Sequence, residues 1–314
     1  MLESTPKKVE KGPAPARDET FLAVGLGELL WDELPSGRRL GGAPANFAGF
    51  ISASGGRGVI VSGVGEDSPG REIREALRRC RLEDAYVADD PFHPTGRVSV
   101  EVNREGVPRY VIHTGTAWDY IPWDERFSDL AERADAVCFG TLAQRAPMTR
   151  NTIRMFIEET GEKCLRVFDI NLRQSYYSEN IISAGLETAG MLKLNLDELE
   201  VVSRIFSVTG TTRARVESIQ RRWSLDMIAL TRGAEGSLLF DGERFSDQKG
   251  KKVDIKDTVG AGDAFTAALV MGRLRGRTLE EIHQEAESLA ASVCTRHGAG
   301  FCEGSPAQGS GSSH

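Results

Sequence analysis

From Phe21 onward, short β-type runs alternate with stretches that have the apolar spacing of helices. The pairs are FLAVGL with PANFAGFISAS, GVIVSG with SPGREIREALRRC, DAVCFG with TRNTIRMFIEET, LRVFDI with the residues after it, and MLKL with NLDELEVVSRIF, before a last run, DMIALT. Such alternation predicts an α/β fold with a mostly parallel central sheet covered by helices. Ligands in these folds bind outside the carboxyl ends of the strands. Functional side chains are therefore expected where these runs end.

Two stretches interrupt the alternation: LLWDELPSGRRL and TGRVSVEVNREGVPRYVIHTG. The second has alternating apolar residues on either side of Glu105-Gly106, which is typical of a β-hairpin. A chain of 314 residues has room for one large core with an appendage. We therefore predict a small β-sheet lid, built from about residues 29–41 and 95–118 and inserted into one main domain at two places.

The two ends of the chain differ from the middle. Residues 1–19 are rich in Pro, Lys and Glu and nearly free of apolar side chains, which predicts a disordered leader. Residues 307–314 resemble a flexible tail or tag remnant, so the predicted domain spans residues 20–306. No apolar run approaches the roughly 20 residues that span a bilayer.

Composition argues against several classes of partner. Acidic residues outnumber basic ones, 46 to 39, and no overall basic field exists to attract nucleic acid or an anionic membrane. The five cysteines are scattered and contain no CxxC pair, so neither a disulfide framework nor structural zinc is expected. This cysteine usage fits a reducing, cytoplasmic environment.

A short β-type run ends at Asp254 and Ile255. The stretch that follows, DTVGAGDAF from Asp257 to Phe265, places small residues where a buried helix begins. The amides of a helix's first turn lack partners within the helix, and glycine lets a ligand approach the backbone closely. Gly260, Ala261 and Gly262 are therefore predicted to bind an anion such as a phosphoryl group. Asp263 has two interpretations from spacing alone: a helix N-cap, or a general base that accepts a proton from a substrate hydroxyl.

Several motifs together resemble one family. Asp257-Thr258-x-Gly260-Ala261-Gly262-Asp263 resembles the carboxy-terminal signature of the ribokinase-like, phosphofructokinase-B-type carbohydrate kinases. In the family's order, the chain also carries GELLWD with Asp32, LGGAPANFA with Gly41, Gly42 and Asn46, KLNLDE with Asn195 and Glu198, and LTRGAEGS with Thr231, Gly233 and Gly236. The resemblance spans Phe21 to Pro306, and LGGAPANFA, AWDYIPW and FDINLR are most similar to bacterial fructokinases.

The resemblance implies a ribokinase-like three-layer sandwich and an ATP-dependent sugar kinase, with fructose as the expected substrate and fructose 6-phosphate as the product. It implies that Asp263 activates a primary hydroxyl while the Gly260–Gly262 amides hold the transferred charge. The other implied roles are sugar binding by Asp32, Gly41, Gly42, Asn46 and Arg173, nucleotide binding by Asn195, Thr231, Gly233 and Gly236, a water-mediated Mg²⁺ contact by Glu198, and a monovalent cation, K⁺, near Asp257 and the loop Cys294 to Gly300.

Several of these residues also have structural explanations. Asn46 is a residue type that often caps the start of a helix, and Gly41-Gly42 is typical of a tight turn. Asn195 and Glu198 have the spacing of a capping box. Asp169, Asn171 and Arg173 lie at the carboxyl end of the strand LRVFD. Arg173 is expected there either to bind a phosphate or sugar oxygen or to form a structural salt bridge.

Other functions compete with the kinase. No GxxxxGK[ST] occurs, which excludes a Walker-type nucleotide site, in which a lysine of the loop binds the phosphates. Gly63-x-Gly65-x-x-Ser68 resembles a dinucleotide fingerprint and favours a nicotinamide-dependent oxidoreductase, though Ser68 replaces its third glycine. A non-catalytic sugar sensor would lack the base or the anion turn. Ribokinase, 2-keto-3-deoxygluconate kinase and nucleoside kinase remain open as substrate classes, and unpaired lid edges favour a homodimer.

Overall fold

The computed structural model describes residues 20–34, 37–102, 108–296, 298 and 301. Its strands are β1 Leu22–Leu26, β2 Leu30–Leu34, β3 Gly37–Gly41, β4 Arg57–Gly65, β5 Val87–Asp90, β6 Gly96–Val102, β7 Pro108–Ile112, β8 Ala136–Phe139, β9 Leu165–Asp169, β10 Met191–Asn195, β11 Met227–Thr231, β12 Ser237–Phe240 and β13 Phe245–Gln248. Its α-helices are α1 Ala43–Ala53, α2 Ser68–Arg79, α3 Arg126–Arg133, α4 Pro147–Glu158, α5 Glu179–Thr188, α6 Leu196–Ile205, α7 Thr212–Trp223, α8 Ala261–Leu274 and α9 Leu279–Cys294.

The main sheet has the order β13-β12-β11-β10-β9-β8-β1-β4-β5. From β11 to β5 every neighbouring pair is parallel, whereas β12 and β13 pair in the antiparallel direction. The mostly parallel α/β prediction is confirmed. The antiparallel edge was not predicted, because SLLF and FSDQ are short and lack a clear alternation of apolar and polar residues.

Helices cover both faces of this sheet. On one face, α1, α8 and α9 pack through a cluster that includes Phe47, Phe265 and Ile282. On the other face, helices from α3 to α7 pack through a cluster that includes Phe127, Phe156 and Val202. Because strand side chains alternate between faces, Met191 joins the first cluster while Leu192 and Leu194 join the second. The result is the predicted three-layer arrangement.

A smaller sheet of order β3-β2-β6-β7 lies apart from the main one. Strand β2 pairs parallel with β6, and both outer pairs are antiparallel. These strands come from the two stretches that interrupt the βα alternation, although the second ends at Ile112 and residues 117–120 form a short 3₁₀ helix. The predicted turn at Glu105-Gly106 lies outside the described residues. The Arg39 guanidinium on β3 contacts the Asp257 carboxylate at 2.7 Å, which ties this sheet to the loop before α8.

Three local features test expectations from the sequence about a strand, about the cysteines and about membrane-spanning segments. Asp254 and Ile255, expected at the end of a β run, lie in coil because no neighbouring strand pairs with them. Cys80 forms a disulfide, which the scattered cysteines did not predict, whereas Cys138, Cys164 and Cys294 are free. Among the described helices, none combines the length and apolar character needed to cross a membrane.

Candidate active site

Two adjoining cavities open at the carboxyl ends of the parallel strands. The first, of about 630 Å³, lies between the small sheet and the start of α8, and the second, of about 450 Å³, lies between α8, α9 and the β11–β12 turn. They meet at Thr231, Thr258 and Gly262, which line both. A ligand in one cavity can therefore reach a ligand in the other at the first turn of α8.

The first turn of α8 begins where the sequence predicts, but one of the three amides predicted to be free already has a partner. Gly260 is the N-cap and has φ +79°, a left-handed conformation that favours glycine, and no side chain caps the helix. The amide of Ala261 donates to the Thr258 carbonyl at 3.2 Å. Gly260 and Gly262 line the first cavity, and Ala261 lines the second. The positive end of the helix dipole thus faces the junction of the cavities, where an anion is favoured.

Asp263 is the third residue of α8 and not its N-cap, so the capping interpretation is excluded. Its Oδ2 accepts a hydrogen bond of 2.7 Å from the Asn46 side-chain amide. Burial and, second, the Asp169 carboxylate raise the pKa of Asp263 to about 6. A carboxylate with such a pKa is still ionised at neutral pH and is a stronger proton acceptor than an ordinary aspartate.

Asn46 lies inside α1, whose N-cap is Gly42, so the helix-cap interpretation of Asn46 is excluded as well. Its side chain is 5% exposed, and its Oδ1 has no hydrogen-bond partner among the described residues. An unsatisfied buried acceptor is costly and calls for a donor from a ligand or from water. A hydroxyl group of a ligand in the first cavity is a suitable donor.

The remaining predicted sugar ligands surround the same cavity. Asp32, Gly42 and Arg173 line it, whereas Gly41 does not. A Cβ on Gly41 would lie 2.3 Å from Asp32 Oδ2, so Gly41 makes room for the carboxylate of a residue that lines the first cavity. Burial raises the pKa of Asp32 to about 6, opposed by the nearby Arg173 and Arg39. Asp32 and Arg173 thus provide an acceptor and a donor around one ligand space.

Glu28 was not predicted as a functional residue, yet it lies 5% exposed beneath this cavity. Its Oε1 accepts from the Ala43 amide at 3.3 Å. It also lines a water-sized cavity of about 10 Å³ together with Asp169 and Asp263. Burial, with a smaller contribution from the Asp263 charge, raises the pKa of Glu28 to about 7. Two carboxyl groups with raised pKa values thus lie close together beside the first cavity.

Replacing Glu28 with Gln should change the pH dependence of stability. The pKa of Glu28 is raised from 4.5 to about 7, so the folded state binds this proton more tightly than the unfolded state, and stability is lost as pH rises between these values, on the order of 3 kcal/mol in total. The neutral Glu28→Gln side chain keeps an acceptor for Ala43 and avoids this loss. Urea unfolding of the ligand-free proteins should show the variant more stable than wild type at pH 8 and nearly equal at pH 4.5. An equal difference at both pH values would contradict the buried-carboxyl assignment.

Lys193 is the second residue that the sequence interpretation missed. It pairs across the sheet with Asp169, and its Nζ donates to Asp169 Oδ1 at 3.0 Å, with both side chains less than a tenth exposed. Thr266 on α8 donates to the other Asp169 oxygen at 2.9 Å. Burial alone would lower the pKa of Lys193, but the carboxylates around it, led by Asp169, raise it. The lysine is therefore a permanent buried cation that lines the first cavity.

Asn195 and Glu198 form a reciprocal capping box at the start of α6, as the structural alternative predicted. Glu198 Oε2 accepts from the Asn195 amide at 2.8 Å, and Oε1 accepts from the Leu172 amide at 2.9 Å. Both residues nevertheless line the first cavity. Among the described residues, no group of three or more His, Cys, Asp or Glu side chains is placed to hold a metal directly. One oriented carboxylate with spare lone pairs fits Mg²⁺, which keeps several waters and relies on substrate phosphates.

The predicted nucleotide residues lie along the second cavity. Thr231, Gly233 and Gly236 all line it, together with Glu287 of α9 and the coil from Gly250 to Val253. At Gly236 the glycine has a structural reason, because a Cβ there would lie 2.1 Å from the Gln248 carbonyl oxygen. Gly233 has open space around its Cα and a φ of +57°, so it is free to face a ligand.

Asp257 lines neither cavity. Its Oδ2 accepts from Arg39 at 2.7 Å and from the Gly298 amide at 2.9 Å, and its Oδ1 accepts from the Val259 amide at 3.0 Å. These bonds outweigh partial burial and lower its pKa. The Lys256 amide also bonds to the Cys294 carbonyl, so the two segments of the predicted cation site do lie together. The side chain of Asp257 is, however, already engaged, and a cation there would depend on backbone oxygens.

The rival dinucleotide fingerprint does not form an open phosphate loop. A Cβ on Gly63 would lie 2.9 Å from the Ala117 carbonyl oxygen, and one on Gly65 would lie 2.7 Å from the His93 oxygen and the Thr95 nitrogen. These glycines accommodate the protein's own backbone. The oxidoreductase interpretation therefore loses the motif on which it depended.

Comparison with known proteins agrees with this geometry. A model of the pfkB family of carbohydrate kinases matches residues 36–306. A fructokinase of Salmonella typhimurium is 28% identical over 260 residues, which cover 78% of this chain and 82% of that protein. An uncharacterized sugar kinase from Pyrococcus horikoshii, solved in complex with ATP, superposes with a TM-score of 0.75 and 25% identity over 90% of this chain and 94% of its own.

The fold is also shared with a double mutant of fructokinase from Vibrio cholerae O395 that was solved with fructose, ADP and a potassium ion. That structure has a TM-score of 0.74 and 22% identity, and the match covers 89% of this chain and 94% of that one. The family model spans every motif from Gly41 to Asp263 and the whole described lining of the second cavity. The chain therefore belongs to the pfkB family of carbohydrate kinases and is a sugar kinase.

Proposed function

We propose that this protein transfers the terminal phosphoryl group of ATP to a primary hydroxyl of a small sugar, with fructose as the substrate and fructose 6-phosphate as the product. The observation that carries the proposal is the position of Asp263. Asp263 lines the first cavity, directly after Gly262, which lines both cavities, and its carboxylate accepts a hydrogen bond from Asn46. A base between an alcohol site and a phosphoryl site is the arrangement that this transfer requires.

In this proposal the sugar occupies the first cavity, where Asp32, Asn46 and Arg173 orient its hydroxyls. Asp263 accepts the proton of the reacting hydroxyl as its oxygen attacks phosphorus. The amides at the start of α8 stabilise the negative charge that moves with the phosphoryl group. The transfer is direct and needs no phosphoenzyme, because acceptor and donor sites open onto the same turn.

The nucleotide would occupy the second cavity along Thr231, Gly233 and Gly236, with its phosphates directed toward α8. Bound Mg²⁺ supplies neutralisation of phosphate charge. Glu198 would hold a water of that ion, and the Asn195 side-chain amide would donate to a phosphate oxygen, since its Oδ1 already accepts from the Glu198 amide. The capping box and the ligand role are compatible, because the cap fixes both side chains at the cavity wall.

Fructose is favoured over the alternatives by the names of relatives and by the composition of the cavity. The Salmonella typhimurium relative is a fructokinase, and the Vibrio cholerae neighbour binds fructose. Four acidic side chains line the first cavity against two basic ones among its described lining, Arg173 and Lys193, which disfavours an acidic or already phosphorylated sugar. Ribose, 2-keto-3-deoxygluconate and nucleosides are the competing acceptors.

A coupled assay of ADP release tests the proposal on fructose, ribose, 2-keto-3-deoxygluconate and adenosine. The highest kcat/KM is expected with fructose, and turnover should require both ATP and Mg²⁺. Repeating the assay in K⁺ and in Na⁺ at equal ionic strength tests the cation, with faster turnover expected in K⁺. A higher kcat/KM for any other acceptor would replace fructose as the substrate, and sugar-independent ADP release alone would contradict the kinase assignment.

A further inference from the structure

We propose that Lys193 is a further catalytic residue, whose ammonium binds the phosphoryl group during its transfer. The inference rests on the proposed kinase function and adds to it the first residue of the KLNLDE motif, to which the sequence analysis assigned no role. Lys193 lies on β10, two residues before Asn195, and is 7% exposed. A Cβ built on Gly262 would lie 3.0 Å from its Nζ, so the ammonium packs directly against the first turn of α8.

The electrostatics of the cavity explain why a cation is needed there. The acidic side chains that line it are Glu28, Asp32, Glu198 and Asp263. An anionic phosphoryl group entering such a site is repelled unless fixed positive groups face it. Arg173 is exposed and lies near Asp32 on the sugar side, whereas Lys193 lies against the phosphoryl-binding turn. Lys193 is therefore the better placed of the two to meet the migrating charge.

The lysine is also held in place by its neighbours. An ammonium has three donors. Among the described residues, the Lys193 Nζ donates to Asp169 Oδ1. Asp169 is itself fixed by the Thr266 hydroxyl on α8. This chain from helix to carboxylate to ammonium fixes the cation relative to the turn. Such preorganised charge stabilises a transition state without reorganisation at the moment of reaction.

A purely structural role is the competing explanation. Lys193 neutralises the buried Asp169, and removing one member of a buried pair destabilises a protein because the other charge is left uncompensated. Replacing both members by neutral residues is often tolerated. The two explanations therefore differ in what they expect of a double variant, Lys193→Met with Asp169→Asn.

The experiment measures binding by isothermal titration calorimetry, with Mg²⁺ present, for wild type, Lys193→Met and the double variant. The probes are the non-hydrolysable ATP analogue AMP-PCP and ADP. Loss of a charge-assisted bond to the terminal phosphate should weaken AMP-PCP binding about 10- to 100-fold in both variants, with a clearly smaller change for ADP. Turnover should fall about 10²- to 10³-fold. Arg145→Met is the matched control, because it breaks another buried ion pair, Arg145–Asp119, outside both cavities.

Recovery of AMP-PCP affinity and turnover in the double variant would overturn the proposal, since the lysine would then serve only Asp169. An equal loss of AMP-PCP affinity in Arg145→Met would overturn the proposal too, because general destabilisation would then explain the loss of affinity in Lys193→Met. If Lys193→Met does not fold, the double variant carries the test. The binding measurement is independent of turnover: a wild-type protein that prefers AMP-PCP through Lys193 but phosphorylates no sugar would contradict the proposed function and leave this inference standing.

Discussion

Asp263→Asn should lower kcat by at least about 10²- to 10⁴-fold while sugar and ATP still bind, because a positioned general base typically contributes that much. The substitution is nearly isosteric. The side-chain oxygen of the introduced asparagine can still accept from Asn46, which bonds Asp263 Oδ2 at 2.7 Å in the native protein. The change therefore removes the proton acceptor and leaves the cavity in place. Steady-state kinetics with fructose, together with calorimetric binding of fructose and AMP-PCP, provide the measurement.

Asp254→Asn is the control for this variant, because Asp254 is an exposed carboxylate in the coil before the same motif. It should retain wild-type turnover. The pH profile gives a second check: kcat/KM of the wild-type protein should fall as pH drops through about 6, where protonation of Asp263 removes the base. Near-normal turnover by Asp263→Asn would remove the general-base assignment.

The parts of the fold that were predictable depend on local patterns. The βα alternation and the small sheet both follow from the spacing of apolar residues over about ten to twenty positions, and the structure contains each predicted unit. The coil at Asp254 and Ile255 shows the limit of this reasoning. Their composition favours a strand, but a strand also requires a neighbour to pair with, and no local pattern specifies which segments become neighbours.

The candidate site could be predicted at residues that the resemblance assigns a role, whereas residues whose role depends on tertiary contacts were missed even inside the quoted motifs. Lys193 interrupts an apolar strand and lies on the same face as Asn195. This pattern indicates a buried side chain that binds a ligand. The pattern does not identify Asp169 and Gly262 as its neighbours. Glu28 lies inside the quoted GELLWD motif, four residues before Asp32, but only the approach of α1 and α8 buries it. Conversely, Gly236 matched the motif although the structure uses it for backbone packing.

Gly42→Ala should both destabilise the fold and impair sugar binding. Gly42 has φ +112°, and a Cβ there would lie 2.3 Å from the Glu28 carbonyl oxygen. The contact is with backbone, so relief requires the turn carrying Glu28 or the first turn of α1, with Asn46, to move. Strain at such a φ costs about 1–3 kcal/mol, and overpacking adds roughly as much again. Urea unfolding should show the combined loss, and kcat/KM for fructose should fall at least about tenfold because the Asn46–Asp263 pair is displaced.

Gly37→Ala separates the two contributions. Gly37 lies on β3 with φ +113°, nearly the same as Gly42, but a Cβ there would meet nothing within 4 Å. It should therefore show the backbone strain alone, about 1–3 kcal/mol, with kcat/KM for fructose unchanged. The difference between the two variants measures the steric contact that positions Asn46 against Asp263. Equal stability and equal fructose kinetics in the two variants would mean that the close approach of Gly42 to Glu28 has no part in shaping the sugar site.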